Sequence, residues 1–236
     1  MASPPKQVIR IGTTTSLNPY LYKETFSGVE IDLIKEAFID QGYKKFSHID
    51  INFKRSFSLL IDNDIDAISS NKINNYYTDS EKIFSSKVVM SYIDCAITLR
   101  KRNLKVSSFK DFAGKRVWAF KTAKESLGKE YANATELASE YNQNINQLLQ
   151  PKALHLERTD IAISDINIFM AQALKDNISK DNYRAFNLLK PTPRVLRFNN
   201  KDLRDTFNKG LNNIRKNGKY KNILKKYKGV YTEKCG

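Results

Sequence analysis

Apolar and polar residues alternate over residues 8–12 (Val8, Ile9, Arg10, Ile11, Gly12), which predicts a strand. A polar loop containing Pro19 follows. Apolar positions then fall at Ile31, Ile34, Ala37 and Phe38 with helical spacing, and Gly42 stands where such a helix would end. Ile49, Ile51 and Phe53 alternate as a second strand, Phe57, Leu60 and Ile61 suggest a short helix, and Ile65-Asp66-Ala67-Ile68 reads as a third strand. Strand, helix, strand, helix, strand is the order of a parallel α/β sheet.

Residues 87–100 form one long strand-like run, after which the pattern starts afresh. Ser107 or Ser108 caps a short helix at 109–112, Gly114 closes it, and 116–120 is a strand. A helical segment begins near Lys124, and residues 143–149 read as another helix that Pro151 interrupts. Residues 160–164 form a buried strand ending at Asp165, and 166–174 a helix. Pro191 and Pro193 mark a break before a strand at 195–198 and two C-terminal helices. Two α/β units in this order describe a second domain inserted into the first. The expected boundaries are residues 1–98 plus 193–236 for lobe 1 and 99–192 for lobe 2.

The composition supports a folded chain: 236 residues, 41% hydrophobic and 11% aromatic. No stretch approaches the roughly 18 apolar residues that span a bilayer. Residues 1–6 carry no apolar core of a secretory signal and read as a start and linker ahead of a mature sequence. The net charge of +15 raises the question of a nucleic-acid partner. Its densest part, from Lys201 to Lys228, interleaves with an apolar stripe at Leu203, Phe207, Leu211 and Ile214, so it reads as the solvated face of packed helices. No nucleic-acid partner is expected. Cys95 and Cys235 match no metal or redox spacing. A buried thiol and a loose tail thiol is the first reading; a disulfide stapling the tail is the alternative, open only in an oxidising compartment.

Ordered landmarks run through most of the chain: Ile9-Arg10-Ile11-Gly12-Thr13, Asn18-Pro19-Tyr20, Gly28-Val29-Glu30-Ile31-Asp32-Leu33, Ile65-Asp66-Ala67-Ile68, Ile83-Phe84-Ser85, Phe112-Ala113-Gly114-Lys115-Arg116-Val117, Asp160-Ile161-Ala162-Ile163-Ser164-Asp165 and Asn217-Gly218-Lys219-Tyr220. In that order they resemble the type II periplasmic binding proteins, family 3 extracellular solute-binding group, typically the receptors of amino-acid ABC transporters. The resemblance implies two α/β lobes joined by a hinge of two crossing strands (a Venus flytrap), a ligand cleft, periplasmic residence and a membrane permease as partner. It implies a monomer with no cofactor and no catalysis.

The same resemblance places an arginine six positions before the Phe of the Phe-Ser pair, to clamp a ligand carboxylate. Here that position is Thr78, whose hydroxyl cannot replace a charged fork. Tyr77 (with Tyr76) flanks it, and Ser70, Asn71 and Lys72 precede it at a strand end. On the other lobe the family's helix-entry element appears as Thr122-Ala123-Lys124. Asp165 stands where relatives hold a ligand ammonium, although an Asp there also caps the helix that follows. Tyr20 falls where relatives place an aromatic wall. Lys72, Lys124 and Arg55 are the candidate cations to replace the lost arginine, although lysines and arginines in such positions more often face solvent; Trp118 is expected in the core.

These residues point to capture of a small polar solute (an amino acid, an amine or a related compound) for an ABC transporter. The alternative is a ligand-sensing domain of a signalling receptor. A dehydratase-like enzyme on the same fold is less favoured, because neither His48 nor His155 falls in a loop at a strand end and no nucleophile, phosphate-loop or metal spacing appears.

Overall fold

The computed structural model describes residues 8–13, 16–72, 82–144 and 146–235. In chain order its strands and α-helices are β1 (Ile9–Thr13), α1 (Val29–Asp40), β2 (Phe46–Asp50), α2 (Phe53–Ile61), β3 (Ala67–Lys72), β4 (Phe84–Ser85), β5 (Met90–Tyr92) and β6 (Asp94–Leu99). They continue with β7 (Arg116–Phe120), α3 (Ala123–Ser126), α4 (Lys129–Ala134), β8 (Glu140–Asn144), α5 (Gln150–His155), β9 (Ile161–Asp165), α6 (Ile166–Lys175), β10 (Tyr183–Phe186), β11 (Thr192–Phe198), α7 (Lys201–Lys216) and α8 (Lys219–Lys226). Two compact units result: residues 1–91 with 193–229, and 92–192 with 230–236. The sequence boundary at 98/99 thus moves to 91/92, because β6 pairs with β9 and β10 of the second unit. The tail from Val230 also joins the second unit.

The first unit's sheet runs β2-β1-β3-β11-β4, with β5 also on β11. β1 is parallel to β2 and β3, while β11 is antiparallel to β3 and β4. One face of α1 is fully buried, including Ile34, Ala37 and Phe38, and it packs on α7. Phe38 sits at the centre of this core, its ring 5.1 Å from Phe207 and 6.4 Å from Phe198. The two helices approach closely because Gly210 has no side chain: a Cβ there would stand 1.9 Å from the Ala37 carbonyl oxygen.

The second unit's sheet runs β10-β6-β9-β7-β8 and has a core on each side. Cys95, Ile97, Ala162, Leu154 and Phe169 fill one side; Ala96, Val117, Ala119, Phe112 and Tyr131 fill the other. This is the alternation that strands buried on both faces require. Cys95 and Cys235 form a disulfide, with Cα atoms 5.9 Å apart. The expectation of two free thiols is therefore corrected. The tail reaches Cys95 because Asn167 holds it, donating to the Thr232 carbonyl (3.0 Å) and accepting from the Thr232 N–H (2.6 Å).

Other local expectations shift for physical reasons. The second strand lies at Phe46–Asp50, upstream of the Ile49–Phe53 alternation, and Phe53 instead opens α2. The long run at 87–100 divides at Ile93 into β5 and β6. Residues 140–144 are strand β8 rather than the start of a helix, and Pro151 sits in the first turn of α5, where its missing N–H costs nothing.

Candidate functional site

In α/β sheets, ligands gather at the carboxyl ends of the parallel strands. In the second unit β7, β8 and β9 are mutually parallel neighbours, so Phe120, Asn144 and Asp165 end at one edge. β6 runs the other way and brings its first residue, Asp94, level with Asp165. Asp165 is 2% exposed. Its Oδ1 accepts from the N–H groups of Asn167 (2.9 Å) and Ile168 (3.0 Å), and Oδ2 from the Ile93 N–H (2.7 Å). The capping role expected of this aspartate is therefore present: it satisfies the first turn of α6 and ties that turn to the start of β6. Asp94, also buried, accepts from the Thr192 hydroxyl at 3.3 Å.

Around the same edge, Gln143 organises the entry to α3. Its Oε1 accepts from the Lys124 N–H (3.2 Å) and the Tyr141 hydroxyl (3.1 Å), while its Nε2 donates to the Lys121 carbonyl and to Glu125. The Lys124 ammonium lies 4.8 Å above the Tyr141 ring, a cation–π contact. Thr122 is exposed and its hydroxyl accepts from Ser126. Ala123 is fully buried among Val117, Ala119 and Tyr131, a core position rather than an open one. Tyr131 and Tyr141 stand hydroxyl to hydroxyl at 3.3 Å. Burial pushes both phenols above their ordinary pKa, for Tyr131 far above, with Tyr141 and Asp94 adding to it. Both are neutral hydrogen-bonding groups.

The first unit's edge is built differently. β1 ends in Thr13, fully buried, whose hydroxyl is 2.5 Å from His48 Nε2. The His48 ring stacks on Phe26 at 4.9 Å, and the Lys35 ammonium lies 4.2 Å from the centroid of the same Phe26 ring. Burial, reinforced by Lys23 and Lys35 and opposed by Asp50, lowers the His48 pKa. β3 carries Ser70, Asn71 and Lys72 to this edge, and β11 sets Arg194 opposite Lys72 and Val195 opposite Asn71. Tyr76, Tyr77 and Thr78 lie outside the described residues. Tyr20 has no exposed surface: it packs under the start of α1, where Gly28 lacks the Cβ that would stand 2.3 Å from the Tyr20 carbonyl oxygen. Its expected place as an open aromatic wall is thus a core position here. Arg55 is exposed near the start of α2, and Trp118 is half-buried in β7.

The structure sets Asp165, Lys72 and residues 122–124 at strand ends, along with Asp94, Gln143, Arg194 and the contact of His48 with Thr13, which sequence reasoning did not single out. Only strand register reveals these. A cavity of about 260 Å³ lined by Leu99, Arg100, Lys101, His155, Asp181 and Asn182 lies at the other end of β6. Arg100 is engaged there by the carbonyls of Asp181 (2.6 Å) and Tyr183 (3.1 Å), so the cavity wall is structural. Among the described residues no cluster of His, Cys, Asp and Glu suits a metal ion, and no helix is long and apolar enough to cross a membrane.

Comparison with known proteins gives a consistent picture. The profile of the bacterial extracellular solute-binding proteins, family 3, matches residues 9–230. No curated protein sequence gives a match. Among solved structures, an ancestral cationic amino acid solute-binding protein is similar with a TM-score of 0.75 and 19% identity, covering 94% of this chain and 95% of that one. Substrate-binding domain 2 of GlnP from Lactococcus lactis, in its open conformation, gives 0.71 and 22%, covering 96% and 97%. A histidine kinase sensor domain with similarity to periplasmic binding proteins gives 0.72 and 15%, covering 95% and 97%. At these identities the likeness is one of fold, the type II periplasmic binding protein fold of two α/β units.

Proposed function

The chain belongs to the bacterial extracellular solute-binding proteins, family 3, and from that premise we propose that it captures a small zwitterionic or cationic solute, such as an amino acid or amine, for an ABC transporter. Periplasmic or cell-surface residence and work as a monomer are part of this reading. The observation that carries it is the family match over residues 9–230 together with the acidic strand end of the second unit, where Asp94 stands level with Asp165. An acidic strand end suits the ammonium of an amino acid or amine. With Thr78 in place of the family's arginine, the carboxylate partner falls to Lys72, Arg194 or Lys124. Ser70, Asn71, Tyr77, Thr78 and Thr122 supply neutral hydrogen bonds in this reading, whereas Tyr20 and Ala123, fully buried, fall behind the site. In this reading Asp165 meets the ammonium while its carboxylate also caps α6.

A second reading, a sensing domain that uses the same capture step, is favoured by the likeness to a histidine kinase sensor domain. A thermal-shift screen of refolded, ligand-free protein tests the shared step. A ligand that binds only the native state at a hundredfold excess over Kd adds about 2.7 kcal/mol of stability. Amino acids and amines are expected to raise Tm, and organic acids lacking an amine are not. A response to organic acids alone, or none across the panel, contradicts the reading.

A further inference from the structure

The basic residues of the two C-terminal helices divide by where their charge goes. Arg204 donates to the Ser85 carbonyl (3.0 Å), and Arg215 to the carbonyls of Val88 (2.6 Å) and Val89 (3.2 Å). Lys219 and Lys226 pair with Glu36 and Asp32, one turn apart on α1, at 2.7 Å each. Tyr227 adds a bond to Asp32 (2.8 Å) and Tyr220 one to the Val89 carbonyl (2.9 Å), so α8 is fixed on the first unit by its inner side. By helical phase Lys221 and Lys225 lie on the other side of α8 from Lys219 and Lys226. Lys221, Lys225 and Lys228 follow one another at i, i+4 and i+7, the spacing of a single helical stripe that runs through α8 and just past its end. Lys209 and Lys216 repeat at i+7 on α7. All five are exposed, and no ion pair among the described residues holds any of them.

We propose that this outward lysine stripe, Lys221, Lys225 and Lys228 with Lys216 and Lys209 beside it in sequence, is a docking surface for the anionic face of a lipid bilayer. The guanidinium groups of Arg204 and Arg215, whose planar forks suit bidentate phosphate recognition, are engaged by backbone carbonyls; the exposed groups without ion pairs are lysine ammoniums, which act as point charges toward a diffuse negative surface. No aromatic residue alternates with the lysines on the stripe to stack on bases, which disfavours a single-stranded nucleic acid. Neighbouring like charges at i, i+4 cost an isolated helix a little stability. α8 tolerates them because Lys219, Lys226 and Tyr227 are tied to α1 and Tyr220 to the Val89 carbonyl. The inference does not depend on which solute is bound.

The test is co-sedimentation of the whole chain with vesicles. Each lysine near an anionic surface strengthens partitioning by roughly fivefold, and salt screens the effect within about 10 Å at 0.1 M. Binding to phosphatidylcholine vesicles containing one-third phosphatidylglycerol is expected at low salt, with none to phosphatidylcholine alone. The triple variant Lys221→Gln, Lys225→Gln, Lys228→Gln should weaken binding at least about tenfold. A control with the same charge change at exposed lysines of the second unit, Lys110→Gln, Lys129→Gln, Lys175→Gln, should lose much less. Equal loss in the two variants would assign the binding to net charge and overturn the stripe. Equal binding to both vesicle types would overturn the proposal outright. So would tighter binding to duplex DNA than to the anionic vesicles at the same salt, which would place the stripe on a nucleic acid instead.

Discussion

In the first unit Arg10 grips Asp66, and in the second Arg116 grips Asp160, with the same atoms in the same order. The backbone N–H of each arginine donates to Oδ2 of its aspartate (2.8 and 2.9 Å), Nε to the same oxygen (3.2 and 3.1 Å), and Nη2 to Oδ1 (3.1 and 2.9 Å). Each arginine lies on the first parallel strand of its unit, and each aspartate just precedes the strand parallel to it. The clamp therefore sets register at the amino ends of the strands, away from the ends where a ligand would bind. At the carboxyl ends the likeness stops. One edge has Arg194, in register with the last residue of β3, and the Thr13–His48 pair; the other has Asp165, Asp94 and Gln143. The framework is repeated, and the residues at the carboxyl ends are not.

The units also differ in what closes them, and this difference gives the largest predicted effects. In the first unit, closure rests on the α1–α7 approach. Gly210→Val should cost more than about 3 kcal/mol, because the intruding atom is backbone and cannot step aside; urea unfolding followed by far-ultraviolet circular dichroism measures it. In the second unit, closure includes the Cys95–Cys235 bond, which spans 140 positions. Cys235→Ser should cost about 2–4 kcal/mol, read by the emission of Trp118, the chain's one tryptophan and a residue of that unit. An unchanged midpoint would show that the staple adds nothing to the packing of the tail.

The clamps come next. Asp66→Asn and Asp160→Asn should each cost roughly 2 kcal/mol, with Asp66 the larger because its side chain is 3% exposed against 9% for Asp160. A large loss at one and none at the other would break the equivalence of the two units. The Asp160 carboxyl is pushed up by burial, but hydrogen bonds and charge from Arg116 outweigh this and hold it below its ordinary value. The stability it contributes is present above the unfolded carboxylate value, about 4, and is lost as the pH falls through its lower folded value. Acid titration of Asp160→Asn should lack that part of the loss.

The smallest effect belongs to His48. With its folded pKa below the unfolded value of about 6.5, the unfolded chain takes up a proton first as the pH falls. Its contribution is therefore present above about 6.5 and declines below it. His48→Gln should flatten the stability profile between neutral pH and the acid limb; a profile unchanged by the substitution would mean that the Thr13–His48–Phe26 stack does not sense protonation.

Much of this was legible in the chain. The restart of the α/β pattern near residue 107 marked two units, and Asp160–Asp165 was visible as a buried strand ending in an acid. The Arg–Asp clamps were not, since a hydrogen bond across more than 40 positions leaves no local trace. Helix α1 matched its periodicity because one apolar face drives it, whereas residues 140–144, Glu-Tyr-Asn-Gln-Asn, became a strand through pairing with β7 despite weak intrinsic preference. The disulfide escaped for a similar reason: Cys235 is brought to Cys95 by the Asn167–Thr232 bonds, which the sequence does not announce. At the site, residue types were readable, but exposure was not, as the buried positions of Tyr20 and Ala123 show.

The central claim is that a small polar solute binds at the carboxyl ends of the strands. The most direct measurement is a map of backbone amide NMR shifts in ligand-free protein as the best solute from the thermal screen is added. The account predicts saturable shifts concentrated at residues 121–124 and 165–168, with the amides of Arg10 and Arg116 at the opposite strand ends unmoved. Shifts centred on those amino ends or on the Arg100–His155 cavity, with residues 165–168 silent, would contradict it.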